Sequence, residues 1–382
     1  MRILHTSDWH LGLSFKNFPL LDEQVGFVDQ VVDIVDSEGV DLVVVAGDVF
    51  DRGFPPSDAV EVWHDALVRI VEAGAQVVAI SGNHDQGERI EIPARLTREG
   101  VVVRGRREAT PVILGFADGP LVVVPIPFLD PFMARELSES EGPATHQSVI
   151  EGALTPIREV VRDAPRSLAA SHAFVRGGIE SESERSLLLV GGAELVDARV
   201  FAGFTYTALG HLHRPQEVGE DPSVAYCGSP LPYSFSENHD KTVRLVEMSA
   251  DGSDIKVELI PVEAGWPVVT IRDSFENIIS DPGYSGYEKR HFVRALISGV
   301  EQHTDPMNRL RRRFEGVIDL DFPDHGFGGD QLPDIDPEGG ANPRELADDF
   351  WMDATGRSPF KPEGVLLDGA IRAGFGNVEV SA

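Results

Sequence analysis

The sequence predicts an α/β protein in which two packed sheets are covered by helices, followed by a small α+β unit and a C-terminal helical tail. Three observations carry that reading. Val- and Ile-rich runs alternate with amphipathic stretches through the first hundred residues, which argues a mostly parallel sheet with helices on its faces. A second series of short apolar strands follows through residue 261. After residue 266 the pattern restarts on a smaller scale.

In chain order, strands are expected near 2–5, 42–46, 76–80 and 101–103, with helices near 22–37, 57–73 and 88–98. Leu121-Val122-Val123-Val124 is a strand leading into the Pro-rich Pro125-Ile126-Pro127. Segments 168–171, 205–209, 224–227, 242–248 and 255–261 supply the second series, and the first domain is expected to span 1–265. Residues 266–322 read as strand, helix, strand, helix, strand, with strands at Pro267–Arg272, Phe292–Leu296 and Val317–Leu320. The second helix of that unit has Asp305 placed to cap it and Pro306 in its first turn. Residues 323–342, rich in Gly, Pro and Asp, form a linker. Residues 343–382 form the tail, where Asn342, Pro343 and Glu345 suit a helix start and Leu346, Phe350 and Trp351 give that helix an apolar face for a docking partner.

Composition narrows the function classes. Hydrophobic content of 42% and charged content of 25% are ordinary for a globular protein. No apolar stretch reaches transmembrane length and the chain opens on a strand pattern without a signal peptide, so a cytoplasmic protein with no membrane partner is expected. Cys227 is the single cysteine, which excludes an internal disulfide and a thiolate metal cluster. The net charge of -30 has the wrong sign for nucleic-acid binding, so metals, local Arg clusters or a basic partner must offset the field. Arg104, Arg106 and Arg107, with Arg309, Arg311, Arg312 and Arg313, are the candidate phosphate contacts, set against the plainer reading of solvated turns and helix faces.

Polar residues of one chemical kind collect where the strands end. Asp8-Trp9-His10 follows the first strand, Gly47-Asp48 the second and Gly82-Asn83-His84-Asp85 the third. Later, His172 follows Leu168-Ala169-Ala170, and His211-Leu212-His213 follows Thr207-Ala208-Leu209-Gly210. Ligands of α/β sheets gather beyond the carboxyl ends of strands. Any one of these motifs alone is commonplace, and their joint occurrence is what points to a site. Two carboxylates, four imidazoles and one amide suit a borderline to hard divalent ion such as Mn, Mg or Fe. Seven ligands exceed the needs of one ion and fit two, with Asp48, central in the set, the natural bridge. Asp8-x-His10 and His211-x-His213 could each serve one ion or be divided between two. His84 is not needed as a ligand and is placed to stabilise a phosphoryl group or protonate a leaving oxygen.

These motifs, in this order, resemble those of calcineurin-like metallophosphoesterases. Met1–Gly12, Val45–Asp51 with Pro55-Pro56-Ser57, Ala208–Arg214 and Cys227–Phe235 resemble more narrowly the bacterial SbcD family of nuclease subunits, over about residues 1–240. The resemblance implies a two-sheet metallophosphoesterase sandwich, residues 266–322 as a capping domain, and two Mn ions. One ion would take Asp8, His10, Asp48 and His213, the other Asp48, Asn83, His172 and His211, with His84 catalytic. It also implies DNA as substrate, an SbcC-type ATPase gripped by the C-terminal helices, a homodimer within a heterotetramer, and a place at the nucleoid. Archaeal and eukaryotic relatives carry His where this chain has Asp51, which aligns it with the bacterial branch. A small-molecule phosphodiesterase or protein phosphatase on the same site is the enzymatic rival, and a catalytically silent scaffold the non-enzymatic one. The extra unit and tail argue against the first, the intact ligand set against the second.

Overall fold

A computed structural model describes residues 1–94, 99–107, 109–139, 142–184, 195–219, 222–299, 304–323 and 364. Leu346, Phe350 and Trp351, and nearly all of the linker and tail, lie outside these residues.

Two six-stranded sheets face each other. The first runs Ile255–Pro261, Thr242–Met248, Arg2–Thr6, Leu42–Ala46, Gln76–Ile80, Val101–Arg104; the last four are parallel and Thr242–Met248 is antiparallel to both of its neighbours. The second runs Gln216–Glu217, Val224–Tyr226, Tyr206–Gly210, Ser167–His172, Gly119–Ile126, Val112–Phe116, again parallel except at its edges. Leu42–Ala46 is buried at every residue, the signature of a strand covered on both faces. Its even positions, Leu42 and Val44, join Ile3, Val78 and Ile80 against Leu121, Val123, Leu168, Ala170 and Ala208 between the sheets. Its odd positions, Val43 and Val45, turn outward to the helices.

The helices follow from their apolar spacing. Leu21–Glu38 buries Phe27, Val28, Val31, Ile34 and Val35, a stripe at helical period, and stops where Gly39 turns left-handed (φ 60°) and donates to the Val35 carbonyl. Ser57–Glu72 begins after Pro56 and buries Ala59, Trp63, Ala66, Leu67 and Ile70. Trp9 packs edge-on against both Phe27 and Trp63, with centroids 5.3 and 5.5 Å away, and so joins the first ligand loop to both helices. On the far side, His146–Leu154 caps the second sheet through Val149, Ile150 and Leu154.

The small unit holds three parallel strands, Val268–Ser274, Phe292–Ser298 and Val317–Asp321, with helices Phe275–Ser280 and Pro306–Arg311. It has its own core, including Ile271, Phe275, Val293, Leu310 and Phe314. A separate aromatic cluster of Phe15, Leu20, Leu231, Tyr233 and Phe292 joins it to the first unit.

One local expectation is corrected. Asp305 stands before Pro306 but has φ 52°, makes no side-chain bond to the helix backbone, and instead accepts from Asn308 Nδ2 at 2.8 Å, because its left-handed backbone turns the carboxylate away. A short hairpin, Ser14–Phe15 with Phe18–Pro19, adds two strands where the sequence pattern signals none. No helix among the described residues is long and apolar enough to cross a membrane.

Trp63 is buried in the helix layer, so Trp63→Ala is expected to lower unfolding free energy by about 3–5 kcal/mol. Denaturant titration checks this, and a loss under about 1 kcal/mol would mean that the helix layer is not packed as described.

Candidate metal centre

The parallel strands of both sheets deliver their carboxyl ends to one place. Asp8, His10, Asp48, His172, His211 and His213 are all buried, and Asn83 and His84 half-buried. Asp48 Oδ2 is at the centre, 3.4 Å from His172 Nε2, 3.7 Å from His10 Nε2 and 4.0 Å from His84 Nε2. Asn83 Oδ1 lies 2.9 Å from His172 Nε2 and 3.1 Å from His211 Nδ1, and His10 Nε2 faces His213 Nε2 at 3.3 Å. Asp8 closes the group with His10 and His213 on one side and with Asp48 and His172 on the other.

The backbone is bent to achieve this. Asp8, His10, Asp48 and His211 have φ of 55°, 44°, 48° and 112°, a region that L residues avoid unless surrounding structure imposes it. Two glycines are required by close approach. A Cβ on Gly47 would lie 2.3 Å from His172 Nδ1, and one on Gly82 would lie 2.1 Å from Asp48 Oδ1. Asp85 holds the two loops together by accepting from Val49, Phe50 and Gly82 N–H groups at 3.0, 2.9 and 2.9 Å.

Each ring is fixed from behind. His172 Nδ1 donates to the Ala46 carbonyl at 2.9 Å, and His84 Nδ1 to the Asp51 carbonyl at 2.7 Å, which turns both Nε2 atoms inward. His213 Nδ1 meets Ser183 Oγ at 2.9 Å and Glu237 Oε1 at 3.3 Å, and Glu237 is itself paired with Lys241. His211 N–H donates to Asp8 Oδ1 at 3.1 Å, and Ser7 Oγ donates to Asp8 as well.

The electrostatics fit cations. Burial opposes the charge on Asp48, yet the rings of His172, His10 and His84 hold its carboxyl well below the ordinary value. Burial also disfavours a charged His172, but Asp48 and Asp8 raise its pKa to about 9. Burial lifts Asp8 to about 6, and it keeps His10 and His211 neutral, with lone pairs available as ligands. Asp85 rises to about 7 through burial and the nearby Asp48 charge. With Nδ1 committed to Ala46, a neutral His172 presents a lone pair to two acceptor oxygens, an arrangement that needs a proton or a cation between them. His10 Nδ1 is buried without a hydrogen-bond partner. Oxygen and imidazole donors without thiolate fit divalent ions of the Mn, Mg or Fe type.

All seven expected ligands and His84 thus meet within one site. The seven arginines do not line it. Arg309 pairs with Glu276 and Arg313 with Glu288, Arg107 is tied to the Met133 carbonyl and Arg106 lies beside Glu91, while Arg104 bonds the Val103 carbonyl and Arg311 and Arg312 are exposed. Sequence reasoning missed Ser183, Glu237, Lys241 and the role of Asp85. Only Asp85 left a signal, an Asp closing a Gly turn onto its own backbone.

Metal binding must displace the proton that His172 holds up to about pH 9 and that Asp8 holds up to about pH 6. Affinity should therefore rise with pH between 6 and 9, by about tenfold per unit for each proton displaced. Titration calorimetry at pH 7.5 in buffers of different ionisation enthalpy should register proton release, and binding without release would contradict the assignment.

The calcineurin-like phosphoesterase family matches the chain over residues 1–215. The SbcD subunit of the SbcCD nuclease of Bacillus subtilis is 34% identical over 84% of this chain and 85% of its own length. Its counterpart from Staphylococcus saprophyticus is 28% identical over 84% of both chains. Among solved structures, a dimetal phosphatase from Danio rerio overlaps 69% of this chain and 99% of its own at 12% identity and a TM-score of 0.41. With its strand-end ligands gathered about Asp48 and this extent of likeness to curated relatives, the chain belongs to the calcineurin-like phosphoesterases, in the SbcD nuclease branch, and is a metal-dependent hydrolase.

Proposed function

We propose that this protein is the nuclease subunit of an SbcCD-type complex, cutting DNA phosphodiester bonds with two divalent ions, of which Mn is the best fit to the donor set. The observation that carries the reading is the gathering of seven ligand-type side chains, Asp48 at their centre, from five strand ends of two sheets. Asp8, His10, Asp48 and His213 would hold one ion, and Asp48, Asn83, His172 and His211 the other, with Asp48 shared. When bound, the ions supply an activated water and neutralise the nonbridging phosphate oxygens.

The chain's own groups do the rest. His84 keeps Nδ1 on the Asp51 carbonyl, so Nε2 is the atom that faces substrate and can deliver a proton to the leaving sugar oxygen. Glu237 and Ser183 hold His213 in one orientation, and Asp85 keeps the Asp48 and Asn83 loops in register.

The proposal extends to 3' to 5' exonuclease and hairpin-opening endonuclease activity in DNA repair and recombination, at the nucleoid. Duplex work would be gated by an SbcC-type ATPase, in a heterotetramer with two copies of each subunit. Residues 1–265 would form the nuclease domain, 266–322 the capping domain and 343–382 the partner-binding tail beyond the 323–342 linker. Likeness to SbcD proteins over 84% of the chain favours this over a small-substrate phosphodiesterase or a silent scaffold. The seven arginines remain candidate contacts for DNA outside the metal centre.

His84→Ser should lower kcat on end-labelled linear and hairpin DNA by about 10²–10⁴-fold in Mn while Mn binding is retained, and EDTA should abolish wild-type cleavage. Undiminished cleavage by the variant would remove His84 from the chemistry. Turnover of a generic phosphodiester, with no DNA cleavage even after SbcC and ATP are added, would overturn the nuclease reading.

A further inference from the structure

Two cations reach one cleft from separate parts of the fold. The cleft, about 530 Å³, is lined by His10, His84 and His213 of the metal centre and by Lys16, Arg294 and Asp319. Lys16 Nζ lies 3.7 Å from Asp319 Oδ2, and Arg294 Nε lies 3.4 Å from the same oxygen. Two cations thus share one carboxylate.

Both are aimed by local backbone features. Lys16 opens the two-residue turn of the Ser14–Phe15/Phe18–Pro19 hairpin, where it and Asn17 have φ of 48° and 72°. That turn ordinarily selects Asn or Gly, so a Lys held there is an outlier to be explained by what its side chain does. The hairpin is anchored on the small unit, since Phe15 and Phe18 pack against Phe292 at centroid distances of 5.4 and 5.1 Å and Phe18 meets Trp266 at 5.5 Å. Arg294 sits two residues beyond Phe292 on the central strand, at the point where the ladder with Val317–Asp321 slips register between Val293 and Arg294. A slip of this kind re-aims a side chain, and here it puts a half-buried guanidinium in the cleft wall. The aromatic contacts therefore fix Lys16 and Arg294 relative to one another across the two units.

The need for them is electrostatic. Asp51 and Glu182 line the same cleft and repel an anionic polymer, in a chain of net charge -30. Resting on the reading of the site as a DNA nuclease, we infer that Lys16 and Arg294 form a subsite for a backbone phosphodiester of the strand being cut, next to the reacting phosphate. They position the strand without reading its sequence, and Asp319 holds the pair in place until phosphate takes over its role.

The test compares the full-length Lys16→Ala/Arg294→Ala double variant with wild type in Mn on two substrates, a single-stranded oligonucleotide and bis(p-nitrophenyl) phosphate, which has no neighbouring phosphate. The oligonucleotide kcat/KM should fall at least tenfold more than that of the small diester, mainly through KM. The slope of log kcat/KM against log salt should lessen by about 1. Asp319→Asn should act in the opposite sense and lower the oligonucleotide KM, a gain that a damaged fold does not produce. Equal losses on the two substrates, or an oligonucleotide salt slope identical to wild type, would overturn the subsite. A wild-type enzyme that hydrolyses the small diester but no oligonucleotide, even after SbcC and ATP are added, would overturn the nuclease reading, and the subsite with it.

Discussion

The buried carboxylate of Asp48, with nitrogens of three histidines within 4.0 Å, is the constraint on which the rest of the structure depends. An ionised carboxylate removed from water is costly unless paired, and rings this close repel one another if they are all charged. The arrangement is stable only with protons or metal cations distributed among the ligands. The loops hold that geometry against the backbone's own preferences, as the left-handed φ of Asp8, His10, Asp48 and His211 shows. Asp85, half-buried, links the two loops that carry Asp48 and Asn83 through three backbone N–H groups.

The fold makes this concentration possible by division of labour. Strands buried on both faces supply rigid supports, and the ligand side chains stand where each strand runs out. Because the two sheets pack with their carboxyl ends at the same rim, five strand ends meet with little chain between support and ligand. Loose loops of greater length would not hold ligand atoms to the fraction of an ångström that a pair of metals requires. The small unit adds a cleft wall, tied down by the Phe15, Phe18, Trp266 and Phe292 rings.

Much of this was legible in the sequence, and for a physical reason. Leu42–Ala46 and Gln76–Ile80 are apolar almost throughout because both faces are covered, and an abrupt change from such a run to Gly-Asp or Gly-Asn-His is hard to explain by packing. The glycines were part of the signal, since Gly47 and Gly82 leave room for a ligand side chain. What was not legible depends on contacts distant in sequence. Glu237 meets His213 only after the chain has folded back, and nothing in its spacing marks it. The Lys16 hairpin has two residues per strand and a Lys-Asn turn, too short for alternation and lacking the usual Asn-Gly signal. The seven arginines stand out in the sequence by clustering alone. The structure occupies Arg309 and Arg313 in ion pairs within the small unit, and the cations at the cleft, Lys16 and Arg294, stand apart from those clusters.

The central claim is that Asp48 is shared between two ions. Mn binding followed by electron paramagnetic resonance tests it most directly, in wild type and in Asp48→Asn. The account predicts two Mn per wild-type chain with the spectrum of an exchange-coupled pair, and loss of the coupling in the variant. A single bound ion, or two that remain magnetically isolated in the wild type, would contradict it.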